Sequence, residues 1–391
     1  MWTPWDGDGG ADNTTFDTVL APGARLALTS STPRRAASDL PGRGHYGLVH
    51  GGTAYRERSG LHMKTVVAYA NTDGCGSIRV EDVANVRAPG RGQVVIGVTH
   101  FPVHRRDLQQ IAEVATGAPP RPVGVEATGI IQGVGDGVER LREGMRVSVF
   151  PHPGTWAQRI LADAGAVLQV PDSVPDEVAA QMLVDPMTML LLRREADRHF
   201  STTYDGILLN NAADDPVGTL LTAGLSHHSI PTISLARSAE SAQRLATRFP
   251  DVPVVTTEDG GWTERVRALT EGRTVGVGFD PEGGRTAANL VDLLSPGGTL
   301  VLYGRHSSDT IPIYASALHT RSITLRGINV ESWTTDTSPR RRASDINTAM
   351  AVATLLTNQF DTAATYPLTA LEDAIAHASS PETVGTVLVQ P

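Results

Sequence analysis

Two stretches and one histidine in this 391-residue chain have the types and spacing that chemistry needs. The first stretch runs from Ile207 to Gly218. An apolar run, Ile207-Leu-Leu-Asn, leads into Asn211-Ala-Ala-Asp-Asp-Pro and then into a helix opening at Val217-Gly218. A strand, a tight loop and a helix N-terminus make an anion site, because free N–H groups and the helix dipole face an incoming phosphate. Asp214 and Asp215 oppose that use: unscreened, two carboxylates there would repel a phosphate by a few kcal/mol. Pro216 offers no N–H. The alternative is that both acids face solvent or cap the helix. The second stretch is Ser234-Leu-Ala-Arg237-Ser238. At the end of the second strand of a nucleotide-binding sheet, an acid holds a ribose hydroxyl and a base accommodates a 2′-phosphate. No acid precedes Glu240, so Arg237 favours the phosphate, which a guanidinium pairs well; its other reading is a solvated strand-end arginine. The histidine is His104, in His104-Arg-Arg-Asp107. A group that titrates near neutrality can give a proton to a developing negative charge. Equally, His104 is a polar strand-end residue facing water.

Elements that would carry these residues are visible in the pattern. Met63-Lys-Thr-Val-Val-Ala-Tyr, Val94-Val-Ile-Gly-Val-Thr-His, Gly124-Val-Glu-Ala-Thr-Gly-Ile-Ile, Met145-Arg-Val-Ser-Val-Phe and Trp156-Ala-Gln-Arg-Ile-Leu read as strands separated by Gly and Pro turns, with a short helix at Asp107–Val114. That is a β-rich lobe. Asp176–Arg194 reads as one helix. From there strands at Ile207, Ile233, Val254, Val275 and Thr299 alternate with helices, the rhythm of a parallel sheet covered on both faces. The tail, Val384-Gly-Thr-Val-Leu-Val, is a strand expected to return to the first lobe. Residues 1–62 are rich in Gly, Thr, Asp, Arg and Pro with little apolar periodicity. They are either a disordered extension, with Met63 as the working start, or an arm over the active site or a partner subunit, packing through Leu20, Leu26, Leu28 and Tyr46.

The totals narrow the class. A 40% hydrophobic fraction suits a globular enzyme, and a formal charge of −9 argues against a general nucleic-acid binder. Cys75 is the one cysteine, so no intramolecular disulfide and no four-cysteine zinc site can form. This fits a cytoplasmic setting. No run approaches the roughly 20 apolar residues of a membrane span, and the first residues have no secretory pattern.

Several segments, in order, resemble the medium-chain dehydrogenase/reductase superfamily. They are Gly133-Val-Gly-Asp-Gly-Val138 with Gly144-Met-Arg-Val147, Gly154-Thr-Trp-Ala with Val170-Pro-Asp-Ser-Val-Pro175, and Pro296-Gly-Gly-Thr-Leu-Val-Leu-Tyr-Gly304. The likeness covers about Met63 to Val389. Within it, Asp185-Pro-Met-Thr188, Asn211 to Gly218 and Leu325-Arg-Gly followed by Trp333 resemble the mitochondrial-type 2-enoyl thioester reductases. Quinone oxidoreductase-like proteins belong to the same zinc-independent branch. The resemblance implies an α/β fold: a GroES-like catalytic domain at 63–185 and 360–391, and a Rossmann domain with a doubly wound parallel sheet at 186–359. It implies NADPH-dependent reduction of an activated C=C bond, with hydride to C3, a proton to C2 and enolate-like charge on the thioester oxygen.

Carried over by position, the resemblance puts NADP(H) against Asn211, Ala213, Val217, Gly218, Ser234, Arg237, Tyr303 and Gly304. Asp185 and Thr188 flank the nicotinamide, and His104 stands where relatives have an Asn. Trp156 and Trp333 are guesses for the acyl pocket wall; each could equally be core. Zinc-dependent relatives use a Cys and a His where this chain has His104 and Val125. His104, Glu126 and Asp185 would make an N/O set only by converging, so no metal is expected. The tyrosine of the enoyl reductases has no counterpart between Tyr69 and Tyr204. Asp107 reads as a helix-positioning residue and His227-His228 as a helix C-cap. Arg340-Arg-Arg342 reads as a solvated helix start, or else a receiver for a CoA or carrier-protein phosphate. The expected partners are a small-molecule substrate, CoA- or carrier-linked, and a second copy through the edge strand Ser322-Ile-Thr-Leu-Arg-Gly. The rival readings are a redox-neutral lyase, isomerase or cyclase, motivated by the missing Tyr and the Asp-Asp-Pro loop, and a non-catalytic binding protein.

Overall fold

The computed structural model describes residues 60–70, 76–199, 206–307 and 310–391. The arm up to residue 59, with its candidate packing residues, and Cys75 lie outside the described residues. The early strands are β1 (His62–Ala70), β2 (Gly76–Ala84), β3 (Gln93–Pro102), β4 (Arg121–Pro122), β5 (Ala127–Val134), β6 (Arg146–Val149), β7 (Arg159–Asp163) and β8 (Val167–Gln169). Then come β9 (Ile207–Asn210), β10 (Thr232–Ala236), β11 (Val254–Thr256), β12 (Val275–Asp280), β13 (Thr299–Leu302) and β14 (Thr324–Gly327). β15 (Thr362–Pro367) and β16 (Thr386–Gln390) are last.

The first lobe is built on a seven-stranded sheet, β15-β16-β3-β5-β6-β8 with β7 paired to β3, beside the small sheet β2-β1-β4. Val94, Ile96 and Val98 alternate along β3 and enter a core with Val147, Trp156, Ile160 and Val387, the packing that β-branched residues on a pleat favour. The tail does return, as β16 lies antiparallel to β3 through Leu388–Pro102 and Val389–Phe101. Gly135 serves close approach: a Cβ there would sit 1.8 Å from the Gly90 carbonyl oxygen.

The second lobe is a six-stranded sheet in the order β11-β10-β9-β12-β13-β14, parallel throughout. Chain order reverses beside β9, and ligands of such sheets bind outside the strand C-termini at that point. Apolar residues fill both faces, with Leu209, Ile233 and Leu290 in one cluster and Leu208, Leu220 and Phe279 in another.

Four helices bear on the site: α1 (Arg105–Ala112), α2 (Val184–His199), α3 (Pro216–His227) and α4 (Pro339–Leu355). The sequence pattern predicts one helix over 176–194, but the structure breaks it after Ala179 and restarts at Val184. The reason is local. The N–H groups of Leu183 and Val184 donate to Glu126 Oε2, each at 3.1 Å, and a carboxylate replaces the helical carbonyls. No helix among the described residues is long and apolar enough to cross a membrane.

Candidate active site

A cavity of about 720 Å³ opens between the lobes, and His104, Asp185, Thr188, Val217, Tyr303 and Gly304 are all in its wall. His104 leaves the end of β3 in extended conformation as the residue capping α1. Its Nε2 lies 2.6 Å from Glu126 Oε1, and its Nδ1 lies 3.8 Å from Asp185 Oδ1. Both carboxylates are buried, as is Asp107 in the first turn of α1. Burial opposes a charge on His104, but Asp185, Glu126 and Asp107 outweigh it and raise the imidazole pKa to about 9. Burial lifts the Asp185 carboxyl to about 6, with His104 pulling the other way. Burial also raises Asp107. At neutral pH the site therefore holds an imidazolium with its Nε2 proton committed to Glu126. Its Nδ1 proton is on the Asp185 side, within the cavity wall. Asp185 Oδ2 has no hydrogen-bond partner. Thr188 donates to the Val184 carbonyl at 2.9 Å, so toward a ligand it can act as an acceptor.

The phosphate turn is arranged differently from the expectation. Asp214 and Asp215 point neither to solvent nor into a capping bond; both are buried. Arg237 Nη2 lies 3.0 Å from Asp214 Oδ2 and 2.7 Å from Asp215 Oδ1, and Nε adds 3.1 Å to Asp214 Oδ2. His306 Nδ1 is 3.4 Å from Asp215 Oδ2. Burial works against the Arg237 charge, but Asp215 and Asp214 more than compensate and raise its pKa. Asn211 Nδ2 donates to Asp280 Oδ1 at 2.7 Å and Glu282 Oε2 at 3.1 Å. Burial raises the pKa of both of these acids. The Tyr303 hydroxyl is buried without a partner. Burial first, then Asp215, Asp280 and Glu282, hold it well above its ordinary pKa.

Other expected residues lie elsewhere. Trp156 is core, stacked on Phe101 at 5.3 Å and donating to the Pro102 carbonyl at 3.1 Å. Trp333 is also core, stacked on Phe150 at 6.1 Å, its indole N–H on Asp345 at 2.9 Å. Neither is in the cavity wall; large aromatics flanked by glycines and helices were better read as packing. Ser234 is sealed beneath α3, 3.2 Å from the Thr222 hydroxyl. Ala213 is buried. Gly218 serves packing, because a Cβ would lie 2.3 Å from the Ala212 carbonyl oxygen. Arg341 pairs with Asp345, and Arg342 donates to the Thr334 and Thr337 carbonyls. His227 ends α3 and His228 follows it.

Sequence reasoning weighed Glu126 only as a metal ligand and missed Asp280, Glu282 and His306. Acids closing an apolar strand, Phe279-Asp-Pro-Glu, were the available signal. Zinc does not fit this donor set. His104, Glu126 and Asp185 do converge, but Glu126 spends one oxygen on His104 and the other on two backbone N–H groups, and no group of three or more among the described residues is arranged to hold a metal ion. A pyrophosphate does not fit the turn as arranged either: Asp214 and Asp215 are buried against Arg237, and Pro216 brings no donor.

The family model for the alcohol dehydrogenase GroES-like domain matches residues 90–172, and that for zinc-binding dehydrogenase matches 216–343. The chain is 27% identical over 253 residues to the mitochondrial enoyl-[acyl-carrier-protein] reductase of Dictyostelium discoideum, spanning 61% of this chain and 70% of that one. It is 29% identical over 244 residues to a 2-haloacrylate reductase of Burkholderia sp, spanning 60% and 71%. Among solved structures, a Bacillus thuringiensis protein described as a candidate NADPH:quinone reductase superposes with TM-score 0.74 at 25% identity, over 85% of this chain and all of that one. Escherichia coli quinone oxidoreductase complexed with NADPH superposes with TM-score 0.71 at 20% identity, over 84% and 99%. With both domain models in the order the sheets require, the chain belongs to the medium-chain dehydrogenase/reductase superfamily, in its quinone-oxidoreductase and enoyl-reductase group, and is an enzyme.

Proposed function

We propose that this enzyme reduces an activated C=C bond with NADPH as reductant, and that its substrate is a 2-enoyl thioester carried on CoA or a carrier protein. The observation that carries the reading is His104. Reduction of such a bond needs a proton at the carbon beside the carbonyl, and a buried imidazolium in the cavity wall is a proton donor matched to that step. Glu126 holds the ring's far nitrogen and fixes its orientation. Asp185 stabilises the charge while the Nδ1 proton is retained. Thr188 and Tyr303-Gly304 line the same cavity, beside the C-terminal ends of the parallel strands, where such folds seat their ligands. The names of the relatives support the reaction class.

Turnover of crotonyl-CoA with NADPH, followed by loss of nicotinamide absorbance, tests it. His104→Ala is expected to lower kcat by about 10²- to 10⁴-fold, the range for losing a positioned acid. Consumption of a quinone but not of crotonyl-CoA would move the enzyme to the quinone side of the group. One observation favours a second reading, a redox-neutral lyase, isomerase or cyclase: Asp214 and Asp215 both occupy Arg237. Product formation with no nicotinamide present would establish it in place of the reductase.

We further propose a cytoplasmic homodimer paired through β14. That strand ends the six-stranded sheet, all its residues are exposed, and Leu325 is among them. A monomer in light scattering at micromolar concentration would remove the dimer.

A further inference from the structure

We infer that Asp215 is an internal counter-anion: its carboxylate stands in the place of a dinucleotide phosphate, and with Asp214 it must be displaced from Arg237 before a dinucleotide is seated. The inference deepens the NADPH reading and rests on it.

Three independent placements carry it. Asp215 is the residue immediately before α3, at the positive end of that helix where a phosphate would be attracted, and its carboxylate bonds no helix N–H but turns to the neighbouring side chains. Two groups that would receive a phosphate are already turned to this carboxylate, Arg237 Nη2 at 2.7 Å and His306 Nδ1 at 3.4 Å. Asp214 then occupies the rest of the guanidinium, taking Nε and Nη2 at 3.1 and 3.0 Å, and also accepts from the Arg237 backbone N–H at 3.4 Å. One positive charge is left over nearby: Arg105 lines the same cavity, acts on His306 and, among the described residues, bonds only the Ser380 carbonyl, so it does not neutralise either acid. Asp280 and Glu282 face the turn through Asn211, and Pro216 cannot donate. An arriving pyrophosphate meets a filled site, and a 2′-phosphate meets an arginine that must first be released from two acids. Affinity is thereby reduced for any dinucleotide. The 2′-phosphorylated one loses more, because only it depends on Arg237.

Fluorescence titration of NADPH and of NADH into the full chain tests this, comparing wild type with Asp214→Asn/Asp215→Ser. Removing both carboxylates is expected to tighten NADPH binding by about tenfold or more, equivalent to about 1.4 kcal/mol, and NADH binding by less. If the double variant loses its cooperative melting transition, Asp215→Ser alone, which leaves Asp214 on Arg237, is titrated instead. Its expected result is tighter binding of both cofactors to a similar degree. Wild type and variant binding NADPH equally well would overturn the counter-anion and leave the NADPH reading intact. Absence of NADPH binding in wild type and both variants at millimolar concentration would bring down both.

Discussion

Glu126 is the residue whose replacement says most about the site. Its Oε1 takes the Nε2 proton of His104 at 2.6 Å in buried surroundings. A hydrogen bond to a charged group of this kind contributes about 1.5–3 kcal/mol, and one pKa unit corresponds to about 1.36 kcal/mol. Glu126→Gln keeps the shape and removes the charge, so the His104 pKa should fall from about 9 by roughly one to two units. The proposed acid works only while protonated. In wild type, kcat/KM should therefore decline as pH rises through about 9, and in the variant the decline should begin near neutrality. Below pH 6 the two enzymes should differ little in this limb, because His104 is charged in both. The assay is kcat/KM against pH with a saturating reductant, paired with an NMR titration of the His104 ring. An alkaline limb that stays put while the ring titrates lower would show that His104 is not the proton donor. A ring pKa that does not move would refute the electrostatic reasoning itself.

Stability should follow the same proton. The folded His104 pKa lies above its ordinary value of 6.5, so its contribution is full below about 6.5 and is lost as pH rises through about 9. The loss is at most about 3 kcal/mol at 1.36 kcal/mol per unit, visible in denaturant midpoints and strongly reduced in Glu126→Gln. Asp185 has the same sign for a different reason: its burial-raised pKa favours the folded state most below 3.8, and that contribution disappears as pH rises through about 6. Gly218→Ala forces a Cβ onto the Ala212 carbonyl and should cost about 1–3 kcal/mol in urea unfolding; an unchanged midpoint would contradict the packing role. Trp333→Phe keeps the ring stack on Phe150 and removes one of two donors from Asp345 Oδ2, which keeps Arg194 Nη1 at 2.9 Å. It should cost about 0.5–1.5 kcal/mol with KM for substrate unaltered; a changed KM with unchanged stability would return Trp333 to the acyl pocket.

The two-lobe order was legible because periodicity is a property of the chain itself. The alternation of β-branched residues in β3 and the buried strands of the second sheet are both set by neighbours a few positions apart. The phosphate turn and Arg237 follow from the strand-loop-helix pattern, whereas His104 and Asp185 come only from the resemblance to the enoyl reductases. What those residues do was not legible, because pairing depends on orientation. Asp214 and Asp215 read equally well as solvent-facing or capping; only the fold shows that the end of β10 delivers Arg237 between them. The break before α2 was hidden likewise, since its cause is a glutamate over fifty residues earlier in the chain. Trp156 and Trp333 stayed open between pocket wall and core because an aromatic beside a conspicuous motif says nothing about which way it faces.

The placement of β16 has a consequence for synthesis. It lies between β15 and β3, so a strand made early waits for its neighbour until residues 386–390 have been made. The parallel sheet between them can close on its own, but the β-rich lobe stays open along one side until then. Trimming those five residues should leave a species with a formed nucleotide-type sheet and an adhesive β3 flank, prone to associate with other chains.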